Sequence, residues 1–126
     1  MVGGSNPPRP VIDGNMGVQK MNVLKGKRVA YPKEILYETG LKGDIGIALS
    51  RIDESEPHYH NRSTEWYLVT KGSGYAYVGK RRIRLKKYDV LAIPPKKVHY
   101  AKSKNGIELW VISSPPWSKG DHYIVK

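Results

Sequence analysis

From residue 44 onward, apolar and polar residues alternate in short runs, which turn-forming or charged residues interrupt at intervals of roughly eight to twelve residues. The runs are rich in β-branched and aromatic residues, which suit half-buried strands. None is long enough, or apolar at the right intervals, to predict a helix. The predicted strands cover residues 45–52, 65–70, 74–78, 83–85, 90–93, 98–102 and 107–112.

The N-terminal part of the chain has a weaker pattern. Residues 1–20 are rich in Gly, Pro and Asn, which predicts a flexible arm. Short apolar stretches at 22–24, 29–31 and 35–37 are expected to be edge strands. Short antiparallel strands in this number predict an all-β fold, a sandwich or a jelly-roll barrel. Since 126 residues are too few for two conventional domains, residues 21–126 are expected to form a single domain.

Composition limits the possible chemistry and partners. The chain has no cysteine, so a metal site must use nitrogen and oxygen ligands. No apolar run approaches the roughly 18 residues that span a bilayer, and no secretory signal is recognisable, so we expect a cytoplasmic protein without membrane contact. The net charge of +11 fits an anionic substrate, an anionic surface or nucleic acid, and also a solvated surface adapted to heat.

Three of the four histidines and one glutamate form a candidate metal site. In extended backbone, the spacing of His58 and His60 places both imidazoles on one face. Glu65 follows a short turn at the head of the next predicted strand, and His99 begins a later one. Three imidazoles and a carboxylate suit one divalent transition metal, namely manganese, iron, nickel, copper or zinc, and leave positions open for a substrate.

The same residues resemble the first motif of the cupin superfamily. That motif reads His-x-His, three or four residues, Glu, six residues, Gly, and its metal-binding half is complete here. The matching residues are His58, His60, Glu65 and Gly72. The resemblance implies a cupin jelly-roll barrel, a double-stranded β-helix of antiparallel strands, with the metal on His58, His60, Glu65 and His99.

The second cupin motif is matched in part. It reads Gly-Asp, four residues, Pro-x-Gly, two residues, His, three residues, Asn. Asp89, Pro94 and His99 agree with it, and the departures are Tyr88, Lys96 and Ser103. These departures affect turns and not ligands. The resemblance covers about residues 44–114, over half of the chain.

The resemblance implies several functions. Residues 58–67 and the tail 120–123 are similar to phosphomannose-isomerase-type cupins. We expect a metal-dependent enzyme of isomerase or dioxygenase type acting on a small polar or anionic molecule, such as a sugar phosphate or a carboxylate. The alternative is a non-catalytic small-ligand binding or sensor module with a structural metal. Small cupins often form dimers, so a homodimer with residues 21–37 at its interface is expected.

Other residues have both a functional and a plain interpretation. Tyr67 shares the face of Glu65 and Arg51 lies on the preceding strand, so both are candidate cavity residues. The plain interpretation is that Tyr67 is a tyrosine of the barrel core and Arg51 an arginine of the surface. Positive charge around the cavity mouth would attract an anionic substrate. His122 is expected to be an exposed tail residue outside the site. The basic stretch 80–87 is interpreted as a guarded edge strand, and nucleic acid is not an expected partner because no aromatic residues interleave with it.

Overall fold

A computed structural model describes residues 11–12 and 17–126, and apart from two short 3₁₀ helices, Val23–Lys25 and Lys119–Asp121, its regular elements are strands. Within these residues, no helix has the length and apolar character to cross a membrane. The strands are β1 (Val11–Ile12), β2 (Gln19–Lys20), β3 (Lys27–Tyr31), β4 (Glu34–Glu38), β5 (Gly46–Glu54), β6 (His58–Tyr59), β7 (Thr64–Gly72), β8 (Gly74–Val78), β9 (Arg81–Leu85), β10 (Val90–Ile93), β11 (His99–Ser114) and β12 (Tyr123–Ile124).

The strands form a curled antiparallel barrel whose two sides share β11. The large sheet has the order β10-β7-β11-β5-β4-β3. The small sheet has the order β9-β8-β11-β6-β12. A register shift between Lys102 and Ile107 separates the two parts of β11, so its first residues pair in the small sheet and its later residues in the large one. The predicted all-β jelly-roll barrel is confirmed.

The core lies inside the barrel and follows the alternation of each strand. On β7, Glu65, Tyr67 and Val69 are buried while the residues between them are more exposed. On β11, Ala101 and Leu109 also face inward and are almost fully buried. Burying such apolar side chains stabilises the barrel by about 1.5 to 3 kcal/mol for each large residue. The same alternation also places polar side chains such as Glu65 on the inner face, where they are not part of the apolar core.

The predicted strands agree with the observed ones from residue 46 onward, with one merger. Residues 98–102 and 107–112 belong to the single strand β11. The strand expected at 22–24 is wrong, because the side chain of Asn22 accepts a hydrogen bond from the backbone of Leu24 and caps a 3₁₀ turn. The stretch 35–37 is not an edge, since β4 pairs with both β3 and β5.

The predicted N-terminal arm lies partly outside the described residues, which omit 1–10 and 13–16. Its described part includes β1 and β2, which pair with each other. The boundary between an arm and a domain at residue 20 therefore stays a prediction.

Left-handed backbone occurs at the motif positions that the cupin pattern assigns to glycine. Gly72 has φ +76° in the turn between β7 and β8. Tyr88 and Lys96, where the second motif has glycine, keep positive φ angles of 74° and 72°. These turns therefore keep the backbone that glycine favours although two of the side chains differ, and a non-glycine residue there costs about 1 to 2 kcal/mol.

We predict that Gly72→Ala destabilises the protein more than Gly79→Ala does. Both glycines have positive φ, so both substitutions carry the same backbone penalty of about 1 to 2 kcal/mol. A Cβ at Gly72 would also collide with the backbone oxygen of Gly106, whereas a Cβ at Gly79 meets nothing within 4 Å. Chemical denaturation of the two variants measures the difference, and equal midpoints would contradict the assigned close approach.

Candidate metal centre

The barrel brings the four predicted metal ligands to one place. His58 lies on β6 opposite His99, the first residue of β11, and the two are register partners. His60 directly follows β6, and Glu65 is the second residue of β7 across the intervening turn. One ligand atom from each of the four residues lies within 4.8 Å of the others. The cluster could therefore hold a metal ion.

The backbone fixes the orientation of the three imidazoles. In each ring, Nδ1 lies within hydrogen-bond distance of a backbone carbonyl oxygen. The pairs are His58 with Glu56 at 2.8 Å, His60 with Asp121 at 2.7 Å and His99 with Lys97 at 2.8 Å. Because a carbonyl can only accept, each Nδ1 carries a proton and donates it. In the neutral imidazole, Nε2 therefore keeps its lone pair, as metal-binding histidines require.

Glu65 supplies the oxygen of the cluster. Its Oε1 lies 2.8 Å from Nε2 of His99 and 3.3 Å from Nε2 of His60. Within the described part of the chain, Nε2 of His60 is buried and lacks a well-directed hydrogen bond. Buried polar atoms are normally satisfied, and a divalent transition metal accepts imidazole nitrogen together with carboxylate oxygen. The donor set fits such an ion.

The electrostatics keep two ligands in the forms that bind a metal. Burial, with the neighbouring charge of His99, lowers the pKa of His58 to about 3, so its imidazole is neutral near pH 7. Burial acts to raise the pKa of Glu65, but the close imidazoles of His60 and His99 outweigh this and hold it below the usual range. Burial acts to lower the pKa of His60, and the contact with Glu65 reverses that. At His60 a proton and a metal therefore compete.

Three residues of the cluster, His58, His60 and Glu65, line a cavity of about 220 Å³. Four carboxylates line this cavity, those of Glu34, Glu38, Glu56 and Glu65, and no described lysine or arginine does. Among the described residues, the lining therefore offers no positive charge to an anionic substrate, and positive charge around the mouth stays a prediction. The physical reason for the acidic lining is strand alternation, since the glutamates of β4 face the cavity while many cations of the chain lie in turns and on outer faces.

The two expected cavity residues have different positions. Tyr67 lines the cavity, is 4% exposed and has its ring centroid 6.2 Å from that of His99. Burial raises its pKa well above the usual value, so the hydroxyl stays protonated. Arg51 lies outside this cavity on the exposed face of β5, because its neighbours Ser50 and Ile52 face inward. Its Nε donates to a carboxylate oxygen of Glu108 at 2.9 Å.

His122 is a cavity residue that sequence reasoning excluded. It is half-buried and its ring stacks on His58 with centroids 4.7 Å apart, so the expectation of an exposed tail residue is wrong. Nε1 of Trp117 donates to its Nδ1 at 3.0 Å, which leaves the ring proton on Nε2. This tautomer is opposite to that of the three clustered histidines. His122 is therefore suited to donate a hydrogen bond from Nε2, and it is not one of the four clustered residues.

Asp121 is a positioning residue that sequence reasoning also missed. Its buried carboxylate accepts backbone hydrogen bonds from the turn that connects His60 to Glu65. The donors are Asn61 at 2.8 Å, Arg62 at 3.1 Å and Ser63 at 3.3 Å. Its own backbone oxygen also receives the Nδ1 proton of His60. The similarity of the tail 120–123 to one cupin group was the only sequence signal for this role.

Comparisons with known proteins agree with this geometry. Residues 51–111 match the family model described as a cupin domain. Germin-like protein subfamily 2 member 1 of Arabidopsis thaliana is 35% identical over an alignment of 80 positions that covers 56% of this chain and 36% of the relative. An uncharacterized protein of Methanocaldococcus jannaschii is 31% identical over 71 residues, 55% of this chain and 57% of the relative. The chain thus spans about a third to just over half of these relatives.

Solved structures show the same fold at low identity. Pac13, a Streptomyces nucleoside dehydratase also solved with uridine, superposes with a TM-score of 0.75 and 20% identity over 85% of this chain and 90% of that one. A variant of oxalate decarboxylase from Bacillus subtilis gives a TM-score of 0.79 and 15% identity over 90% of this chain and 34% of that one. With its two motifs, its matching family model and its barrel, the chain contains a cupin domain that includes residues 51–111.

Proposed function

We propose that this protein is a metal-dependent cupin enzyme that acts on a small polar molecule in the barrel cavity. One divalent transition metal would bind Nε2 of the three histidines His58, His60 and His99 and the carboxylate of Glu65. The convergence of these four donors beside a cavity, with each Nδ1 held by a carbonyl, carries the proposal. Manganese, iron, nickel, copper and zinc all suit the donors.

The side chains of the cavity suit proton transfer at a substrate near this centre. A metal bound there would polarise a substrate oxygen or, as iron(II), support reactions with dioxygen. Glu34 lines the same cavity, accepts a hydrogen bond from Oγ of Ser50 at 2.7 Å and has its pKa raised by burial. His122 offers the proton on its Nε2 from another side. Glu34 can give or take a proton and His122 can donate a hydrogen bond, while Tyr67 limits the space available.

The charge of the cavity narrows the substrate class. Carboxylates line it without a balancing lysine or arginine among the described residues, so an anionic group would be favoured only at the metal itself. A sugar phosphate or a carboxylate remains compatible if its charged group binds the metal. A small molecule with hydroxyl groups fits the remaining walls better. Isomerase and dioxygenase chemistry both stay open.

The fold and the cavity wall bear on whether the protein is an enzyme or a binding module. The nucleoside dehydratase and oxalate decarboxylase that share the fold are enzymes, which supports catalysis here. The apolar wall formed by Leu36, Ile47 and Val111 also suits a module that binds a small ligand without turnover.

The homodimer stays a prediction. It is supported by β3, which in the described part of the chain pairs with β4 alone and offers an edge.

We predict that the purified protein contains about one equivalent of a divalent transition metal and that the double variant His58→Ala, His99→Ala loses it. Removing two of four ligands leaves too few donors for stable binding. Metal content is measured by mass spectrometry on untagged protein prepared without chelator, and again after reconstitution with each of the five metals.

The matched control is His122→Ala, which removes a histidine that touches the cluster but has the wrong tautomer for a ligand. It is expected to keep the metal. Wild-type protein that stays metal-free after reconstitution, or a double variant that retains its metal, would contradict the assigned site.

We predict that Asp121→Ala lowers metal affinity by about 10- to 100-fold, the usual effect of losing a group that orients ligands. The turn between His60 and Glu65 would lose three backbone hydrogen bonds. The control Asp89→Ala removes a carboxylate that accepts a backbone hydrogen bond from Lys86 in a turn away from the cluster. Titration against a competing chelator compares both variants, and equal affinities would contradict the positioning role.

Turnover separates the enzyme from the binding module. Metal-loaded protein is offered sugars, sugar phosphates and small carboxylates, with and without dioxygen, and products are followed by mass spectrometry. We expect turnover that disappears in the double variant and falls in Glu34→Gln with the metal retained. A ligand that binds the metal-loaded protein and is recovered unchanged would favour the module.

A further inference from the structure

The outer face of the small sheet carries a group of tyrosines that the proposed enzyme does not use. On β6, β8, β11 and β12, the residues next to each tyrosine point into the barrel, so the tyrosines point outward. We call this surface the tyrosine face. It consists of Tyr59, Tyr75, Tyr77, Tyr100 and Tyr123, five of the nine tyrosines of the chain.

Four of these tyrosines form two stacked pairs across neighbouring strands. The rings of Tyr77 and Tyr100 have centroids 4.6 Å apart and planes 7° from parallel. Those of Tyr59 and Tyr123 are 5.0 Å apart with planes 17° from parallel. The rings are only partly buried, and Tyr123 is 37% exposed. A row of partly exposed aromatic rings on a sheet is a surface on which planar groups can stack.

Cations surround one side of the tyrosine face. The guanidinium of Arg82 lies 4.7 Å from the ring centroid of Tyr75, and that of Arg84 lies 5.9 Å from it. The ammonium of Lys102 is 5.8 Å from the centroid of Tyr100. We call Arg82, Arg84 and Lys102 the basic edge, and all three are exposed. Residues 74–87 and 99–104, which contain the basic edge, include no acidic residue.

The register creates an arrangement that the linear sequence hides. The basic stretch 80–87 contains no aromatic residue, and on that ground nucleic acid was not an expected partner. In the sheet, Tyr75 pairs with Arg84 and Tyr77 with Arg82. On the other side of β8, Tyr75 pairs with Lys102. Cations and aromatic rings therefore interleave across the strands and not along one strand.

We infer that the tyrosine face binds single-stranded nucleic acid, with bases stacked on the tyrosine rings and phosphates at the basic edge. Stacking on aromatic rings requires unpaired bases, which disfavours a duplex. Exposed aliphatic side chains beside the face are few, Ile124 and Val125 next to Tyr123, and the basic edge lies on its other side, which disfavours insertion into a membrane. Docking of a second copy of the protein by the same face is also disfavoured, because it would bring the cations of two basic edges together and they would repel each other. RNA and DNA strands share the required chemistry.

The test is binding of a fluorescein-labelled oligouridylate, about a dozen nucleotides long to match one small barrel. Fluorescence anisotropy is measured over a series of salt concentrations with metal-loaded, full-length protein. For Arg82→Gln, Arg84→Gln we expect about tenfold weaker binding and a shallower dependence of affinity on salt, by about one to two units of slope. For Tyr77→Leu we expect about tenfold weaker binding with an unchanged slope.

The matched control is Lys27→Gln, Arg28→Gln, which removes the same charge from the exposed edge of the large sheet. It is expected to retain most of the affinity. Thermal unfolding of every variant shows whether the fold is kept, and Tyr123→Leu gives a second test of stacking if Tyr77→Leu unfolds. An oligothymidylate of equal length and a duplex of equal length complete the set. Equal affinity for the oligouridylate and the oligothymidylate indicates that base stacking and phosphate contacts account for binding. Higher affinity for the oligouridylate indicates an additional contact with the 2′-hydroxyl of RNA.

Several outcomes would overturn the inference. One is an affinity that falls as much in the control as in the arginine variant, which would show only the effect of net charge. Another is duplex binding as tight as that of the single strand. Absence of salt-dependent binding by the wild-type protein would also reject it. So would binding to phosphatidylglycerol vesicles without oligonucleotide binding, or a change of oligomeric mass in the tyrosine variants on ultracentrifugation, which would identify a membrane or a second copy as the occupant.

Discussion

The hydrogen bond from each clustered histidine to a backbone carbonyl is the constraint on which the proposed centre depends. Each carbonyl fixes a ring rotation and also a tautomer, so a metal-binding nitrogen of each ring and the carboxylate of Glu65 lie within 4.8 Å of one another. Two of the carbonyls belong to residues two positions before the histidine they hold, which makes them local to β6 and β11. The third belongs to Asp121, which is 61 residues from His60. The C-terminal tail is therefore part of the site and not an appendage of the barrel.

Strand register decides which residues reach the cavity. Because side chains alternate, a slip of one residue in β6 or β11 would exchange His58 and His99 for Tyr59 and Tyr100. Pairing of His58 with His99 sets this register at the mouth of the barrel. The shift after Lys102 then lets β11 continue into the large sheet, where its inward residues become core. A single strand thus supplies a proposed ligand, part of the outer aromatic surface and part of the core.

The sequence was sufficient for features that depend on local periodicity and short spacing. Alternation placed His58 and His60 together, and the turn before Glu65 returned the carboxylate to them. Asp121 and His122 could not be found in this way, because their partners lie far away in the chain and their geometry depends on the tail closing over β6. The acidic lining of the cavity could not be predicted from the sequence either. The inward direction of Glu34 depends on the pairing of β4 with its neighbours, which the sequence pattern indicated only weakly.

The distribution of charge over the protein, more than its net charge, determines which ligands are attracted to the cavity and to the outer surface. A net charge of +11 suggested attraction of an anionic substrate to the mouth, yet the described lining of the cavity is acidic and exposed cations lie on an outer face. The carboxylates of the lining come from β4, β7 and the segment before β6, whereas the cations of the basic edge lie on β9 and β11. A polyanion would be attracted to the outside and disfavoured inside, whereas a small neutral molecule could enter the cavity. Binding on the two faces can therefore occur together, because neither ligand needs a residue that the other uses.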